Sequence, residues 1–315
     1  MKRFPLLIGI LFILTGFTPP AYPWGSAVHA YIGGRLGDRG ILKANVVYGE
    51  MAADTFNFMF DAPDQMQYLY AVTHGFTSSG LDTVLPVLRL AKTEREKAVA
   101  FGFVTHNNVN GADVTAHGVP YNSPDGYVIA KALQLNEDLK PLLAKTGISI
   151  PEPVLLEVSH TLVEYAADLL IRKRDRSVGF IIVLSTITRD DSFPKLLAKA
   201  YAKDFAGTFG LTKKEATFTI IKEEAKFRRL TINYGTILRN GDRKAQDEVA
   251  KYLAEIAPDF LKPYEIEIPP EALLPIIQFG IARAIDLCKD DLLTEVKATI
   301  ELVKDNLADC RDGKC

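Results

Sequence analysis

Apolar residues recur at intervals of three and four positions through most of this chain, and this spacing constrains the fold more than any other feature. It extends over residues 94–104, 151–173, 213–238 and 270–307, and it places apolar side chains on one face of a helix. Patterns typical of strands are scarce. The apolar run 178–184 leaves a short strand open, although its neighbours show helical spacing. The sequence therefore predicts an all-α protein.

Length, composition and charge favour one soluble body. The 315 residues are 48% hydrophobic and 24% charged, which is typical of a globular protein that can bury a substantial core. The formal net charge is −2, whereas proteins that grip nucleic-acid backbones usually carry a strong basic excess. We therefore expect a monomer with no stable nucleic-acid partner.

The first residues have the pattern of an export signal. A basic pair precedes an apolar run at 4–17, which is too short to span a bilayer comfortably. We predict a signal peptide over residues 1–23 and a periplasmic or secreted mature protein, with a retained anchor as the alternative. Cleavage after Ala21 satisfies the small-residue rule, whereas cleavage after Pro23 would make Trp24 the mature N-terminus.

The three cysteines lie near the C-terminus and form no Cys-x-x-Cys pair, which excludes zinc-ribbon and thioredoxin sites. In an oxidising compartment Cys310 and Cys315 could close a small loop and leave Cys288 free. The alternative, three unpaired cysteines, stays open.

All five histidines lie between residues 29 and 160, so residues 1–160 contain every imidazole and residues 161–315 contain none. We assign the chemistry to residues 24–175 and predict that residues 176–315 form a helical extension packed on the same body.

Two pairs of residues have one-turn helical spacing. His160 and Glu164 are four residues apart, as are Asp113 and His117, so each pair can share a helix face. Imidazole and carboxylate are good zinc donors, although such a pair alone is more often a surface hydrogen bond. His106 lies seven residues before Asp113, about 10.5 Å along a continuous helix. The intervening residues must therefore turn or bulge if both side chains are to bind one ion.

Further acidic and imidazole groups lie upstream. Asp54 is in an apolar context and precedes His74 by twenty residues, and His29 follows Trp24 closely. Asp64 is the alternative to Asp54. Each histidine alone also fits a structural role in the core.

Taken in order, these residues resemble the ligands of zinc-dependent phospholipases C, of the related domain of glycosylphosphatidylinositol-specific phospholipase D and of fungal three-zinc single-strand nucleases. The match uses every histidine and the only tryptophan. The matching residues are Trp24, His29, Asp54, His74, His106, Asp113, His117, His160 and Glu164.

Local motifs add to the resemblance. The Gly-x-x-x-Pro-Asp motif of the phospholipase D member resembles residues 49–54, with Ala53 in place of proline, and its Asp-x-x-x-His motif resembles residues 113–117. The gap from His106 to Asp113 is three residues longer than in the family, whose bridging position falls on Asn110. We favour Asp113 as the bridging ligand because a carboxylate can bridge two cations.

The resemblance implies a single multi-helix domain that binds two to three zinc ions. The first ion would be bound by Asp54, His74, His106 and Asp113. The second would be bound by His117, His160 and Glu164, and the third by Trp24, His29 and Asp113.

Such a centre suits hydrolysis of a phosphodiester by zinc-activated water. Asp54 would bind metal and orient or deprotonate the water, and Asn107, Asn108 or Asn110 would fix imidazole tautomers. The expected substrate is a phospholipid, reached through transient contact with a membrane surface. The alternatives are a single-strand nuclease or nucleotidase on the same framework and a non-catalytic zinc-binding envelope protein.

The segment between Asp54 and His74 is rich in aromatic residues, which form either a wall facing the substrate or part of the helix core. These residues are Phe56, Phe58, Phe60, Tyr68 and Tyr70.

Overall fold

The predicted all-α class is confirmed. The structure, a computed structural model, describes residues 24–118, 126–311 and 315, and the described residues contain fourteen α-helices, three 3₁₀ helices and no strand. The predicted signal peptide lies outside the described residues. The α-helices are α1 Ser26–Gly33, α2 Gly40–Ala52, α3 Pro63–His74, α4 Pro86–Leu90, α5 Glu94–His106, α6 Asp113–His117, α7 Tyr127–Thr146, α8 Glu152–Arg174, α9 Val178–Thr188, α10 Phe193–Phe209, α11 Lys213–Leu238, α12 Asp242–Leu261, α13 Pro270–Cys288 and α14 Leu292–Arg311. The 3₁₀ helices are Ala53–Phe56, Gly80–Thr83 and Lys262–Tyr264.

Local signals fix the start of two long helices. Thr93 and Glu96 form a capping box at the start of α5, and Thr212 and Glu215 form another at the start of α11. In each, the threonine hydroxyl and the glutamate carboxylate satisfy backbone N–H groups that have no partner within the helix. The apolar run 178–184 belongs to α9, so the strand alternative is wrong.

The helical segment predicted over 270–307 is divided into α13 and α14. Asp291 lies in the break, where its carboxylate accepts hydrogen bonds of 2.6 Å from the Tyr127 hydroxyl and from the Lys131 ammonium. Both partners belong to α7. This tertiary anchor holds the turn between two stretches that share the same apolar periodicity.

Helices α2 and α5 cross at two glycines. A Cβ on Gly49 would lie 2.0 Å from the Val99 carbonyl oxygen, and one on Gly102 would lie 2.1 Å from the Val46 carbonyl oxygen. No side chain fits at such distances, so the backbones can approach only because both residues are glycine. The crossing brings the C-terminal turn of α5 beside the C-terminal turn of α2.

Helices from both halves of the chain contribute to one hydrophobic core. Helix α13 packs against α7 and α8, and α11 packs against α9, α10 and the 3₁₀ helix Ala53–Phe56. Near the C-terminus Cys310 and Cys315 form a disulfide, and Cys288 is unpaired and buried. Within residues 24–118 and 126–311, no helix has both the length and the apolar character needed to cross a membrane.

Candidate metal centre

The fold brings eight of the nine predicted ligands into two neighbouring groups. We call the first the inner cluster and the second the outer cluster. The inner cluster consists of His29, Asp54, His74, His106 and Asp113, and the outer cluster of His117, His160 and Glu164. Asp64 is exposed and belongs to neither cluster.

Asp113 lies at the centre of the inner cluster. Its Oδ1 is 3.4 Å from His29 Nε2, and its Oδ2 is 3.0 Å from His106 Nε2 and 3.8 Å from His74 Nε2. Asp54 Oδ1 is 3.3 Å from His74 Nε2 and 3.6 Å from His106 Nε2. One carboxylate thus faces histidines on both sides, as a bridging ligand requires.

A turn between α5 and α6 makes this arrangement possible. Helix α5 ends at His106, and Asn107 Oδ1 accepts hydrogen bonds from the backbone N–H groups of Val109 and Asn110 at 2.7 and 2.9 Å. The Asn110 side chain accepts a hydrogen bond from Asn107 within the same turn. The predicted bulge is therefore present. It aims Asp113 at the histidines, and the side-chain oxygen of Asn110 is engaged within the loop.

The outer cluster joins α6 to α8. The Nε2 atoms of His117 and His160 are 3.3 Å apart, and His160 Nε2 is 3.1 Å from Glu164 Oε1. His160 and Glu164 are one turn apart on α8 and nearly fully buried, whereas His117 is partly exposed.

Every histidine directs Nε2 into its cluster and Nδ1 toward an acceptor. His74 Nδ1 is 3.0 Å from the Tyr70 carbonyl oxygen, and His106 Nδ1 is 2.6 Å from the Glu50 carbonyl oxygen. A carbonyl oxygen can only accept, so Nδ1 carries a proton in both rings, and Nε2 of each ring in its neutral form carries a lone pair. These two Nε2 atoms are only 3.1 Å apart. Lone pairs at this distance repel each other unless a proton or a cation lies between them.

The remaining histidines have side-chain acceptors. His29 Nδ1 lies 3.4 Å from Glu50 Oε1, and His117 Nδ1 lies 2.7 Å from Asn108 Oδ1. His160 Nδ1 faces Glu157 Oε2 at 3.7 Å. Asn108 also donates to Asp113 Oδ2 at 3.3 Å, and so it connects the two clusters. Of the three asparagines predicted to support the ligands, Asn108 makes such contacts directly.

Burial and charged neighbours shift the pKa values of several cluster residues. Burial opposes protonation of His29 and His160, but the carboxylates beside them outweigh it and raise the pKa of each to about 10. Burial opposes ionisation of Asp113, but His106 and His29 hold the pKa of that carboxyl well below its usual range. Burial raises the pKa of Glu164 to about 8, because it disfavours the ionised carboxylate. His160 lowers this pKa, whereas the negative charges of Asp54 and Asp113 raise it.

Several potential metal-ligating atoms in the clusters are buried and make no hydrogen bond to any described residue. They are His29 Nε2, Asp113 Oδ1 and Glu164 Oε1. Buried polar atoms are nearly always satisfied, and imidazole nitrogen with carboxylate oxygen is a typical donor set for transition metals. The two clusters can therefore hold metal ions.

Trp24 lies beside the inner cluster. Its indole Nε1 donates hydrogen bonds to the Ala112 carbonyl oxygen and the Thr115 hydroxyl, both at 3.2 Å. The indole thus anchors the chain to the element that carries Asp113 and His117. Whether the backbone of Trp24 binds metal stays a prediction.

Two buried acids of this region are absent from the predicted ligand set. Glu50 contacts His29 and Thr105, and Asp168 accepts from the N–H groups of Ala27 and Val28 at 2.9 and 2.8 Å. Asp168 thereby caps the N-terminus of α1, which carries His29. Glu50 lies one turn before Asp54, and Asp168 one turn after Glu164. The only sequence signal for either residue is an acidic side chain in an apolar segment, four positions from a predicted ligand.

A cleft of about 110 Å³ reaches both clusters. Asp54 and Glu164 lie on its wall, and the rest is mainly apolar, with contributions from Phe227, Tyr234 and Phe260 of the C-terminal half. The aromatic segment divides between the two alternatives. Its cleft members are Phe58 and Phe60, while Phe56 is in the core, Tyr68 packs on Phe205 and Phe209, and Tyr70 stacks on His74.

Comparison with protein-family models, with curated proteins and with solved structures gave no match for this chain. Its function must therefore be inferred from the geometry of the clusters and the cleft.

Proposed function

We propose that this chain is an exported, zinc-dependent phosphodiesterase of the phospholipase C type, with two to three zinc ions held by the inner and outer clusters. The supporting observation is the pair of facing Nε2 atoms of His74 and His106, whose Nδ1 protons are both committed to carbonyl oxygens. A cation between these nitrogens removes their repulsion. The nitrogen and carboxylate donors suit zinc.

The chain's own residues can support hydrolysis next to the cleft. Bound zinc would supply a Lewis acid for the phosphoryl oxygens and lower the pKa of water to about 7. Asp54 is held by Asn57, whose amide donates to Oδ1 at 2.8 Å, and it lies on the cleft wall. It is therefore suited to orient the attacking water and to accept its proton. Its side chain retains 12% exposure, which leaves access for substrate.

The cleft favours a lipid over a nucleic acid. None of its described lining residues is lysine or arginine, whereas single-strand binders combine stacking aromatic residues with a basic groove. An apolar wall suits acyl or alkyl groups. The cleft also favours catalysis over a purely structural role for the ions, because structural zinc sites are closed and catalytic sites keep an open position.

The test is metal analysis and N-terminal sequencing of the purified mature protein, followed by hydrolysis assays with and without chelator. The substrates are phosphatidylcholine vesicles, single-stranded DNA and a chromogenic phosphodiester. We expect bound zinc and chelator-sensitive hydrolysis of the vesicles and the chromogenic ester. Cleavage of DNA without cleavage of phosphatidylcholine would favour the nuclease alternative. Bound zinc without hydrolysis of any substrate would favour the non-catalytic envelope protein instead.

A further inference from the structure

Glu50 is a fully buried glutamate on α2 beside the inner cluster. Within the described part of the chain, no lysine or arginine pairs with its carboxylate. Its contacts are Oε2 with the Thr105 hydroxyl and Oε1 with His29 Nδ1. Its backbone oxygen accepts from His106 Nδ1. One residue thus contacts two histidines of the inner cluster.

The two histidine contacts of Glu50 fall on the sides of the rings that face away from Asp113. Glu50 reaches Nδ1 of both rings, whereas Asp113 faces Nε2 of both. The two rings are stacked, with centroids 4.0 Å apart and planes inclined by 18°. Glu50 is therefore placed behind the ligands rather than among them.

A buried carboxylate is costly unless positive charge lies beside it. The cost falls if the His29 imidazole beside it carries positive charge, from a proton or from a cation on its far nitrogen. A carboxylate behind a ligating imidazole also fixes the tautomer, holds the ring and strengthens the ligand. Glu50 lies behind His29 in this way, at the Nδ1 side of the ring, whereas Asp113 lies at the Nε2 side.

We propose that Glu50 is a positioning residue that orients His29 and His106 and strengthens metal binding by the inner cluster. This inference rests on the proposed metal centre but not on hydrolysis of any substrate. The close crossing of α2 and α5 at Gly49 and Gly102 supplies the geometry, because it brings Glu50 to Thr105 and His106.

The test uses the metal-free full-length mature protein and zinc alone, titrated against a competing chelator, in the wild type and in Glu50→Gln and Glu50→Ala. Glutamine keeps the shape and an acceptor for His29 but loses the charge. We expect a weakening of inner-cluster zinc binding of about 10-fold in Glu50→Gln and about 100-fold in Glu50→Ala. Zinc binding by the outer cluster should be unchanged in both.

A cobalt(II) spectrum adds a readout that a purely structural role would not change. Cobalt reports the field of its ligands, so Glu50→Gln should shift the visible bands of the inner cluster while the far-ultraviolet circular dichroism stays that of the wild type. Thr105→Val removes the other partner of Glu50 without touching a histidine. We expect a smaller loss of zinc affinity in this variant, and it serves as a second probe if Glu50→Ala fails to fold.

The matched control is Glu295→Gln, which replaces the carboxyl group of a buried glutamate on α14 that belongs to neither cluster. It should bind zinc as the wild type does. If the wild type binds no zinc, the proposed metal centre fails and the role of Glu50 fails with it. If the wild type binds zinc and Glu50→Gln and Thr105→Val bind it equally well with unshifted cobalt bands, the role of Glu50 alone is wrong.

Discussion

The inner and outer clusters contain the same types of donor but differ in enclosure. The inner cluster draws five residues from five separate elements, and its four residues other than Asp54 are fully buried. The outer cluster draws three residues from two helices, and His117 is partly exposed. Many enclosed ligands favour retention of an ion, whereas few ligands leave positions for water or substrate. The comparison therefore predicts that the inner cluster would retain a metal ion more firmly and that an ion in the outer cluster would keep exchangeable positions.

Removing Asp113 should have the largest effect, because its two oxygens face histidines of both potential ion positions in the inner cluster. Loss of a supporting contact costs about 10- to 100-fold in metal affinity or activity, so loss of a shared ligand should cost more, and we expect Asp113→Ala to abolish chelator-sensitive hydrolysis. Metal analysis should show that the inner ions are missing. The exposed Asp64→Ala is the control and should match the wild type. Full zinc content in Asp113→Ala would contradict the shared role of this carboxylate.

Removing an outer ligand should distinguish the role of the outer cluster from that of the inner cluster. We expect His117→Ala and Glu164→Ala each to abolish hydrolysis and to lose the outer ion while the inner cluster keeps its metal. Helicity should be largely unchanged by circular dichroism. Glu152→Ala, an exposed residue on the same helix α8 as Glu164, is the control. Full activity in either ligand variant would rule out the proposed role of the outer cluster.

Zinc binding by the outer cluster should depend more steeply on pH below about 8 than above it. Ligands bind metal in their deprotonated form, and the pKa values are about 8 for Glu164 and about 10 for His160. Below pH 8 zinc must displace a proton from both groups, and above it only from His160. The affinity should therefore change by about 100-fold per pH unit below the break and about 10-fold above it.

Asp113 should contribute no break to the inner cluster in this range, because its histidines hold the pKa of that carboxyl well below its usual range. Competition titrations with zinc from pH 6 to 9.5 measure both dependences. Glu164→Gln should remove the break at the outer cluster. A break near pH 8 that persists in Glu164→Gln would show that another group causes it.

Asn108→Ala should have the smallest effect of these changes. Asn108 accepts from His117 and donates to Asp113, but neither ligand loses its place on α6 without it. We expect zinc binding to weaken about 10-fold at the outer cluster and less at the inner cluster, where Asp113 keeps its histidine contacts. Zinc titration at fixed pH checks this order. An equal loss at both clusters would mean that they act as one unit.

Local patterns in the sequence were sufficient to predict the all-α class and several long helices, but not every boundary. The spacing over 213–238 coincides with α11, because its capping box and apolar face are both local features. The division between α13 and α14 depends on Asp291 contacting Tyr127 and Lys131. Those contacts join residues more than 150 positions apart, and periodicity carries no information about them.

The candidate site shows the same limit. The resemblance of the ordered histidines and acids to a known ligand list pointed to the eight residues that meet in the clusters, and the need for a turn after His106 followed from the rise of a helix. Glu50 was missed because an acidic residue in an apolar helix can serve many roles until its neighbours are known. The part of the cleft contributed by Phe227 and Phe260 was missed because the C-terminal half contains no histidine and so no local sign of the site.

The glycine crossing offers a way to recognise distant relatives of this chain. In the turn between His106 and Asp113, Val109 is exposed, and exposed loop positions tolerate insertions best. The positions of Gly49 and Gly102 cannot take a side chain, since an added Cβ would meet backbone oxygen. A sequence that keeps both glycines, each a few residues before an acid or a histidine, is therefore a better candidate relative than one that keeps only the ligand spacing.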